Sequence, residues 1–353
     1  MQPAKHMRSM LIAAAAFGVA PTGPASAVAA VSGETVARAA PDRLVVTWTD
    51  KDPVDVYVAE RPDAGLDQAK LVSAADRDGR YEASAPAGRL FFLLKDRGDG
   101  KVVRTAERVL PLQQSSNFRD LGGYPAADGK RVRWGRIYRS GGTALLTDAD
   151  VRAVSELHIG DLVDLRSREE RALAPTRIDG VRYHAISYSM SGILARINSG
   201  EANSGYGQMA FGLTPQLRMV FKALLEEKGE AVAYNCSAGQ DRTGFTTAMV
   251  LSALGTPRDV IYRDYLLSTP SRRPQYELPR ITPAMAEGNP VAALFARYQD
   301  LPAQPLLDAE GRPLLLHVFN TIEQRWGTVD AFLRQEIGLS DADIARLRET
   351  YLE

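Results

Sequence analysis

The stretch Asn235-Cys236-Ser237-Ala238-Gly239-Gln240-Asp241-Arg242-Thr243-Gly244 sets the reading of the whole chain. Ahead of it runs Ala231 to Tyr234, a short apolar segment with the character of a buried strand. Behind it, Thr243 to Leu254 reads as a helix closed by Gly255, a residue suited to the left-handed position just past a helix end. The stretch is therefore a strand-to-helix junction. Such a junction aims several backbone N–H groups and the positive end of a helix dipole at one point, where an anion can sit. Ser237, Ala238 and Gly239 are small enough for the backbone to wrap closely around a tetrahedral oxyanion such as phosphate, with Gln240 completing the turn. Arg242, six positions after Cys236, can close the ring with a two-pronged guanidinium contact.

The same N–H field stabilises a thiolate. A free cysteine titrates near ~8.5, and helix N-termini and nearby cations lower that by several units. Cys236 is the one cysteine of the chain, and these neighbours favour a reactive thiol over an inert buried one. A thiolate that attacks phosphorus needs a proton donor for the leaving oxygen. Asp241 lies inside the loop, beside Arg242. An acid on a separate upstream loop is the other arrangement, yet residues 182–235 contain no Asp, and their acids are Glu201, Glu226, Glu227 and Glu230. The last three fall at a helix end or in the turn before the strand. Asp241 is thus the expected acid, with Glu201 a distant second. Thr243 is expected to hydrogen-bond the Cys236 sulfur and ease its departure, with Asp241 then serving as base for the attacking water.

Working outward, helical and strand patterns alternate from Asn117 onward. Thr147 can cap a helix with Val151, Val154 and Leu157 on one face, and Asp161 to Leu165 is a short strand. Thr214 and Pro215 open a helix striped by Leu217, Val220, Phe221, Leu224 and Leu225, and Thr256-Pro257 opens another. This alternation predicts an α/β domain with a mainly parallel central sheet.

The loop CSAGQDRTG resembles the signature of the protein tyrosine phosphatase superfamily, and its DRTG ending resembles the bacterial tyrosine/lipid group, the atypical or triple-specificity phosphatases. Further matches lie in Asn117-Phe118-Arg119-Asp120-Leu121-Gly122-Gly123, Ile137-Tyr138-Arg139-Ser140, Asp164-Leu165-Arg166-Ser167 and Asp264-Tyr265-Leu266-Leu267-Ser268. The resemblance covers residues 114 to 353. It implies a three-layer phosphatase domain over 113–353 and metal-independent catalysis by Cys236, Asp241 and Arg242, with no cofactor. Members that hydrolyse phosphoinositides often carry Lys where this chain has Gln240, so phosphotyrosine is the expected substrate and a phosphoinositide or inositol phosphate the alternative. An inactive phosphate-reading module and a rhodanese-like sulfur transferase are the remaining readings, the latter disfavoured by the DRTG ending. Arg119 and Asp120 either contact substrate or brace the Gly-Gly turn. Arg139 and Arg166 are expected as bracing ion pairs. Tyr183, Tyr188 and Met190 either flank the pocket or belong to the core. With four histidines in the chain, His158 and His184 read as scaffold, and no metal cluster is apparent.

The N-terminal third reads differently. Lys5, His6 and Arg8, the apolar run Met10 to Ala20 and Ala25-Ser26-Ala27 form a signal-peptide pattern over residues 1–27, with export to the periplasm or beyond as its consequence. A linker is expected at 28–40. From 41 to 112 the alternation of Leu44, Val46 and Trp48, then Val54, Val56 and Val58, with apolar Leu90 to Leu94 and a β-rich Val102 to Leu110, predicts a small all-β sandwich that resembles a fibronectin type III module. Its expected role is structural, or docking of a protein partner. Equal counts of 43 basic and 43 acidic residues speak against nucleic acid as a partner, and no later segment reaches the length of a membrane span. The expected partner of the second domain is a phosphorylated protein or small phosphomonoester. Two polar or Pro-rich stretches, Ser187 to Phe211 and Thr269 to Pro305, are candidate lids or passive excursions.

Overall fold

The computed structural model describes residues 31–85, 88–191 and 206–353. The signal-peptide pattern, Glu201 and most of the first candidate lid lie outside the described residues.

Two antiparallel sheets form the N-terminal unit. One orders strands β1 (Ser32–Ala40), β2 (Arg43–Thr49) and β5 (Arg80–Ser84). The other runs β4 (Lys70–Asp76), β3 (Val54–Ala59), β6 (Phe91–Asp96) and β7 (Val102–Ala106). Leu44, Val46 and Trp48 from the first sheet share one core with Val54, Val56, Phe92, Leu94 and Val103 from the second. Alternation along each strand sends these side chains inward, as the period-two pattern requires. The expected linker differs. Residues 32–40 form edge strand β1, whose less exposed face interleaves Glu34 and Arg38 with Val36 and Ala40 and therefore lacks an apolar alternation. The expected end at residue 112 also moves. β7 stops at Ala106, and Leu110 and Leu112 turn into the core of the second unit beside Phe118 and Tyr138.

The second unit is built on a five-stranded sheet in the order β11 (Arg182–Ala185), β10 (Ile159–Asp164), β12 (Ala231–Asn235), β9 (Ile137–Ser140) and β8 (Arg119–Asp120). All neighbours are parallel except β8 with β9. Central strands β10 and β12 are buried along their whole length, as strands covered on both faces must be. Successive residues feed opposite layers. Ile137, Val163, Val232 and Tyr234 enter the core under helices Thr214–Glu226 and Asp241–Ala253, while Tyr138, Leu162, Ala231 and Ala233 enter the one that holds Leu146 and, from helix Asp148–Ser155, Val154. The result is three layers. Thr147 caps its helix through a reciprocal capping box with Asp150, and Gly255, at φ 81°, ends the helix that follows the loop.

Register places the site. Asp164 of β10, Asn235 of β12 and Ser140 of β9 lie side by side in the sheet. The loops that leave these three strands therefore start in one row at the carboxyl edge, where open α/β sheets present their binding residues.

The two units are joined by a buried seam. Arg89 of the first donates to Asp120 at 2.7 Å and packs against the rings of Phe91, Trp134 and Tyr138. Trp134 Nε1 donates to the Arg104 carbonyl at 3.1 Å. Among the described residues no helix is long and apolar enough to cross a membrane.

Candidate active site

Cys236 follows the last residue of β12 and is 2% exposed. The three carbonyls after it all point outward to fixed donors. Ser237 O accepts from Gly142 N at 2.7 Å, Ala238 O from Asn117 Nδ2 at 2.7 Å, and Gly239 O from Arg139 Nη2 at 2.7 Å. In a trans peptide the next N–H opposes its carbonyl, so the N–H groups of Ala238, Gly239 and Gln240 face the other way, into the ring. Among the described residues no acceptor takes the N–H of Ser237, Ala238, Gly239 or Gln240. The first turn of helix Asp241–Ala253 adds more unpaired N–H groups by construction. Gly239 sits at φ 68°, and a Cβ there would lie 2.7 Å from Gly141 N and 2.8 Å from Ser140 C. Only glycine allows the chain to pass so close at that conformation.

Arg242 is held by an unexpected partner. Its Nη1 and Nη2 donate to the two carboxylate oxygens of Glu170 at 2.8 and 2.6 Å, and Nη1 also donates to Tyr188 OH at 2.7 Å. The Nε–H has no acceptor among the described residues, so the Nε/Nη2 edge remains for a second two-pronged contact. Glu170 is itself placed by a capping box with Ser167, and it accepts from Ser237 Oγ at 2.7 Å. Burial alone would raise its carboxyl. The Arg242 charge and the hydrogen bonds from Arg242 and Ser237 outweigh that and hold it at about 2. Tyr188 OH in turn donates to the Leu165 carbonyl at 2.9 Å, which puts Tyr188 at the site and resolves its sequence alternatives. Tyr183 instead bonds Asp164, and Met190 meets Glu169 through its backbone N–H.

Asp241 opens the helix, and its Oδ1 accepts from Tyr206 OH at 2.7 Å. Tyr206 OH also lies 2.5 Å from Tyr265 OH. Burial first, then the Asp241 charge, push the Tyr206 phenol well above its ordinary range, so Tyr206 stays a donor. Thr243 departs from expectation. Its Oγ1 is buried without a hydrogen-bond partner among the described residues, so no bond to the Cys236 sulfur is formed in this structure.

Arg119 and Asp120 brace the scaffold and do not reach the cradle; both are 0% exposed. Arg119 donates to Asp264, Asn117 Oδ1 and Ser268 Oγ. Asp120 accepts from Gly122 N, Gly135 N and Arg89 on the far side. Asp264 is the hub behind the loop. It binds Arg119 at 3.1 Å, Arg139 at 2.5 Å and Tyr124 OH at 3.0 Å. Burial opposes its charge, and Arg119 and Arg139 overcome that to hold the carboxyl far below the usual carboxylate range. Arg139 thus links Asp264 to the Gly239 carbonyl. Arg166 pairs with Asp164 at 2.7 Å, as a bracing residue would.

Sequence reasoning missed Glu170, Tyr206, Asn117 and Arg272. Arg272 Nη1 donates to Gln240 Oε1 at 2.7 Å, and its other edges grip Glu277 at 2.7 and 2.9 Å. It comes from the start of the Thr269 to Pro305 stretch, whose first residues therefore pack on the loop. Burial opposes its charged form, and the hydrogen bonds and charge of Glu277, with Asp241 and Cys236 adding, keep the guanidinium protonated. Asn117 opens the Asn117–Gly123 motif, and Glu170 closes a Ser-x-x-Glu pattern that marks a helix start. Tyr206 and Arg272 carried no sequence signal.

A cysteine at the mouth of an N–H ring, a guanidinium with one edge committed and one edge open, and a carboxylate on the first helical turn form a site suited to a tetrahedral dianion. Residues 110–353 match the sequence model of the tyrosine phosphatase family, and the chain belongs to that family. A Cupriavidus necator protein assigned by name as a tyrosine-protein phosphatase is 31% identical over 249 residues, 67% of this chain and 86% of its own length. The triple specificity protein phosphatase PtpB of Mycobacterium tuberculosis is 29% identical over 283 residues, 69% of this chain and 99% of its own. TpbA of P. aeruginosa, solved with phosphotyrosine, aligns at a TM-score of 0.26 and 17% identity over 38% of this chain and 70% of its own, too slight a likeness to carry an argument.

Proposed function

We propose that this phosphatase hydrolyses phosphomonoesters, phosphotyrosine foremost, through a cysteinyl-phosphate formed on Cys236 and without a metal. The observation that carries the reading is the outward fixing of three consecutive carbonyls, at Ser237, Ala238 and Gly239, which turns the intervening N–H groups inward around the sulfur. A dianion bound there takes those N–H bonds and the free Nε/Nη2 edge of Arg242. The thiolate attacks phosphorus in line, and the ring of dipoles takes up charge on the equatorial oxygens. Asp241 protonates the departing phenoxide, then accepts a proton from the water that cleaves the thiophosphate. Tyr206 fixes the carboxylate so that its other oxygen serves the leaving group.

One observation supports the second reading, a phosphoinositide or inositol phosphate as substrate. Gln240 is neutral, but the guanidinium of Arg272, paired with Glu277, lies beside it. The relative named as triple specific is consistent with a broad substrate range. An inactive phosphate reader is the less economical reading, because the full catalytic set is present.

A three-stranded sheet sharing one core with a four-stranded sheet supports the proposed fibronectin type III-like sandwich for the N-terminal unit, and its proposed role is structural or docking. Export to the periplasm or outside the cell remains part of the proposal.

The test is hydrolysis by wild type and Cys236→Ser, with a chelator present, of an aryl phosphate, a phosphotyrosine peptide and a phosphoinositide. Full wild-type activity and none in the variant support the mechanism. Chelator-sensitive activity, or turnover by the variant, would refute it.

A further inference from the structure

We propose that Asp50, Asp52 and Asp96 form a binding site for a calcium-like divalent cation in the N-terminal unit. Asp50 and Asp52 lie in the link between β2 and β3, and Asp96 ends β6 opposite Val54, the first residue of β3. One carboxylate oxygen from each comes within 4.8 Å of the others. Two oxygens on opposite sides of a calcium ion are at most about 5 Å apart, since each bond is ~2.3–2.6 Å.

Proximity of acids alone would mean little. The second observation is the state of Asp96. Its residue is 0% exposed, its Oδ1 takes the Gly98 N–H at 2.6 Å, and among the described residues its Oδ2 has no hydrogen-bond partner. Asp50 repeats the pattern: Oδ1 accepts from Asp52 N at 3.0 Å, while Oδ2 is buried and unpartnered among the described residues. Buried carboxylate oxygens without a partner are costly, and here two of them belong to one cluster.

Protein cations do not relieve them. Arg97 is committed to Asp55 at 2.7 Å and Lys101 to Asp99 at 3.0 Å, and among the described residues none of the three acids forms an ion pair. Either a proton or a metal ion must neutralise this cluster. The donors are all oxygen, which selects a hard cation over zinc or copper. Loop-borne carboxylates of uneven exposure suit the flexible coordination of calcium better than the strict octahedron of magnesium.

The proposal is independent of the chemistry at Cys236. Its test is calcium titration of the full chain by calorimetry, with thermal unfolding followed in chelator, in millimolar calcium and in millimolar magnesium. Wild type is expected to bind calcium with saturation and to gain about 5 °C in the unfolding of its N-terminal unit, with less from magnesium. Asp50→Asn, at the less buried position, is expected to fold normally in chelator and to weaken calcium binding at least tenfold. Asp96→Asn is expected to lose the response. Identical wild-type melting in calcium and chelator would overturn the proposal, as would an undiminished response in Asp50→Asn. An Asp96→Asn variant more stable than calcium-treated wild type would assign the neutralising role to a proton and overturn it equally.

Discussion

Arg242 and Glu170 meet edge to edge, with both Nη atoms of the guanidinium on both oxygens of the carboxylate. This pair orients the open edge of Arg242 toward the ring of N–H groups, and Ser237 joins it from the loop itself. The partner that organises the signature loop is therefore a capping residue some seventy positions earlier in the chain.

Glu170→Gln keeps the shape and removes the charge. It should lower kcat/KM by about 10²-fold, mostly through KM, because the guanidinium loses its fixed aim. Steady-state kinetics on an aryl phosphate tests this, and unchanged KM would count against it.

The same carboxyl sets an acid limit on stability. Its titration falls from the ordinary 4.5 to about 2 on folding. A lowered value contributes stability that is fully present above the unfolded value and is lost as pH falls toward the folded one. The loss should run from about pH 5 down to 2 and amount to roughly 3 kcal/mol. Denaturant midpoints followed from pH 7 to 3 should therefore fall less steeply for Glu170→Gln than for wild type.

Asp241→Asn should slow phenyl phosphate by about 10²–10³-fold and a nitrophenyl phosphate far less, since a good leaving group needs little protonation. Equal slowing of both would remove Asp241 from the proton-transfer role.

Asp264 neutralises two buried arginines at once. Asp264→Ala should cost on the order of 3–5 kcal/mol in unfolding free energy, because Arg119 and Arg139 are left as uncompensated buried charges. Denaturant unfolding checks the value, and a loss under 1 kcal/mol would mean that the hub is dispensable.

Arg272→Met should discriminate between substrates. Loss of the cation beside Gln240 should reduce phosphoinositide hydrolysis about tenfold more than phosphotyrosine hydrolysis. Parallel losses would leave Arg272 as a loop brace alone.

The parts of this site that could be read in the sequence are those fixed by local pattern. The strand Ala231–Asn235, the small residues after Cys236 and the helix from Asp241 follow from periodicity and spacing. Residues brought in by tertiary folding left little trace. Glu170 lies in a Ser-x-x-Glu pattern that marks only a helix start, and Tyr206 and Arg272 arrive from segments with irregular composition. Arg119 and Asp120 sit beside a glycine pair and look accessible in sequence, yet the hub at Asp264 and the seam at Arg89 bury both. Thr243 is expected at the sulfur from its place in the loop, but the helix turns its hydroxyl into a buried position without a partner among the described residues. In the N-terminal unit, Leu44, Val46 and Trp48 announced their strand through alternation. β1 did not, because its less exposed positions run Glu34, Val36, Arg38 and Ala40, with charges interrupting the apolar stripe.

The account depends on phosphate passing through the sulfur of residue 236. Rapid-quench mass spectrometry of wild type mixed with an aryl phosphate should find one phosphate on the peptide that contains Cys236, formed within the first turnover and lost at the rate of release of inorganic phosphate. Asp241→Asn should accumulate it with a good leaving group. Turnover with no phosphate on that peptide at any time, or phosphate carried by another residue, would contradict the account.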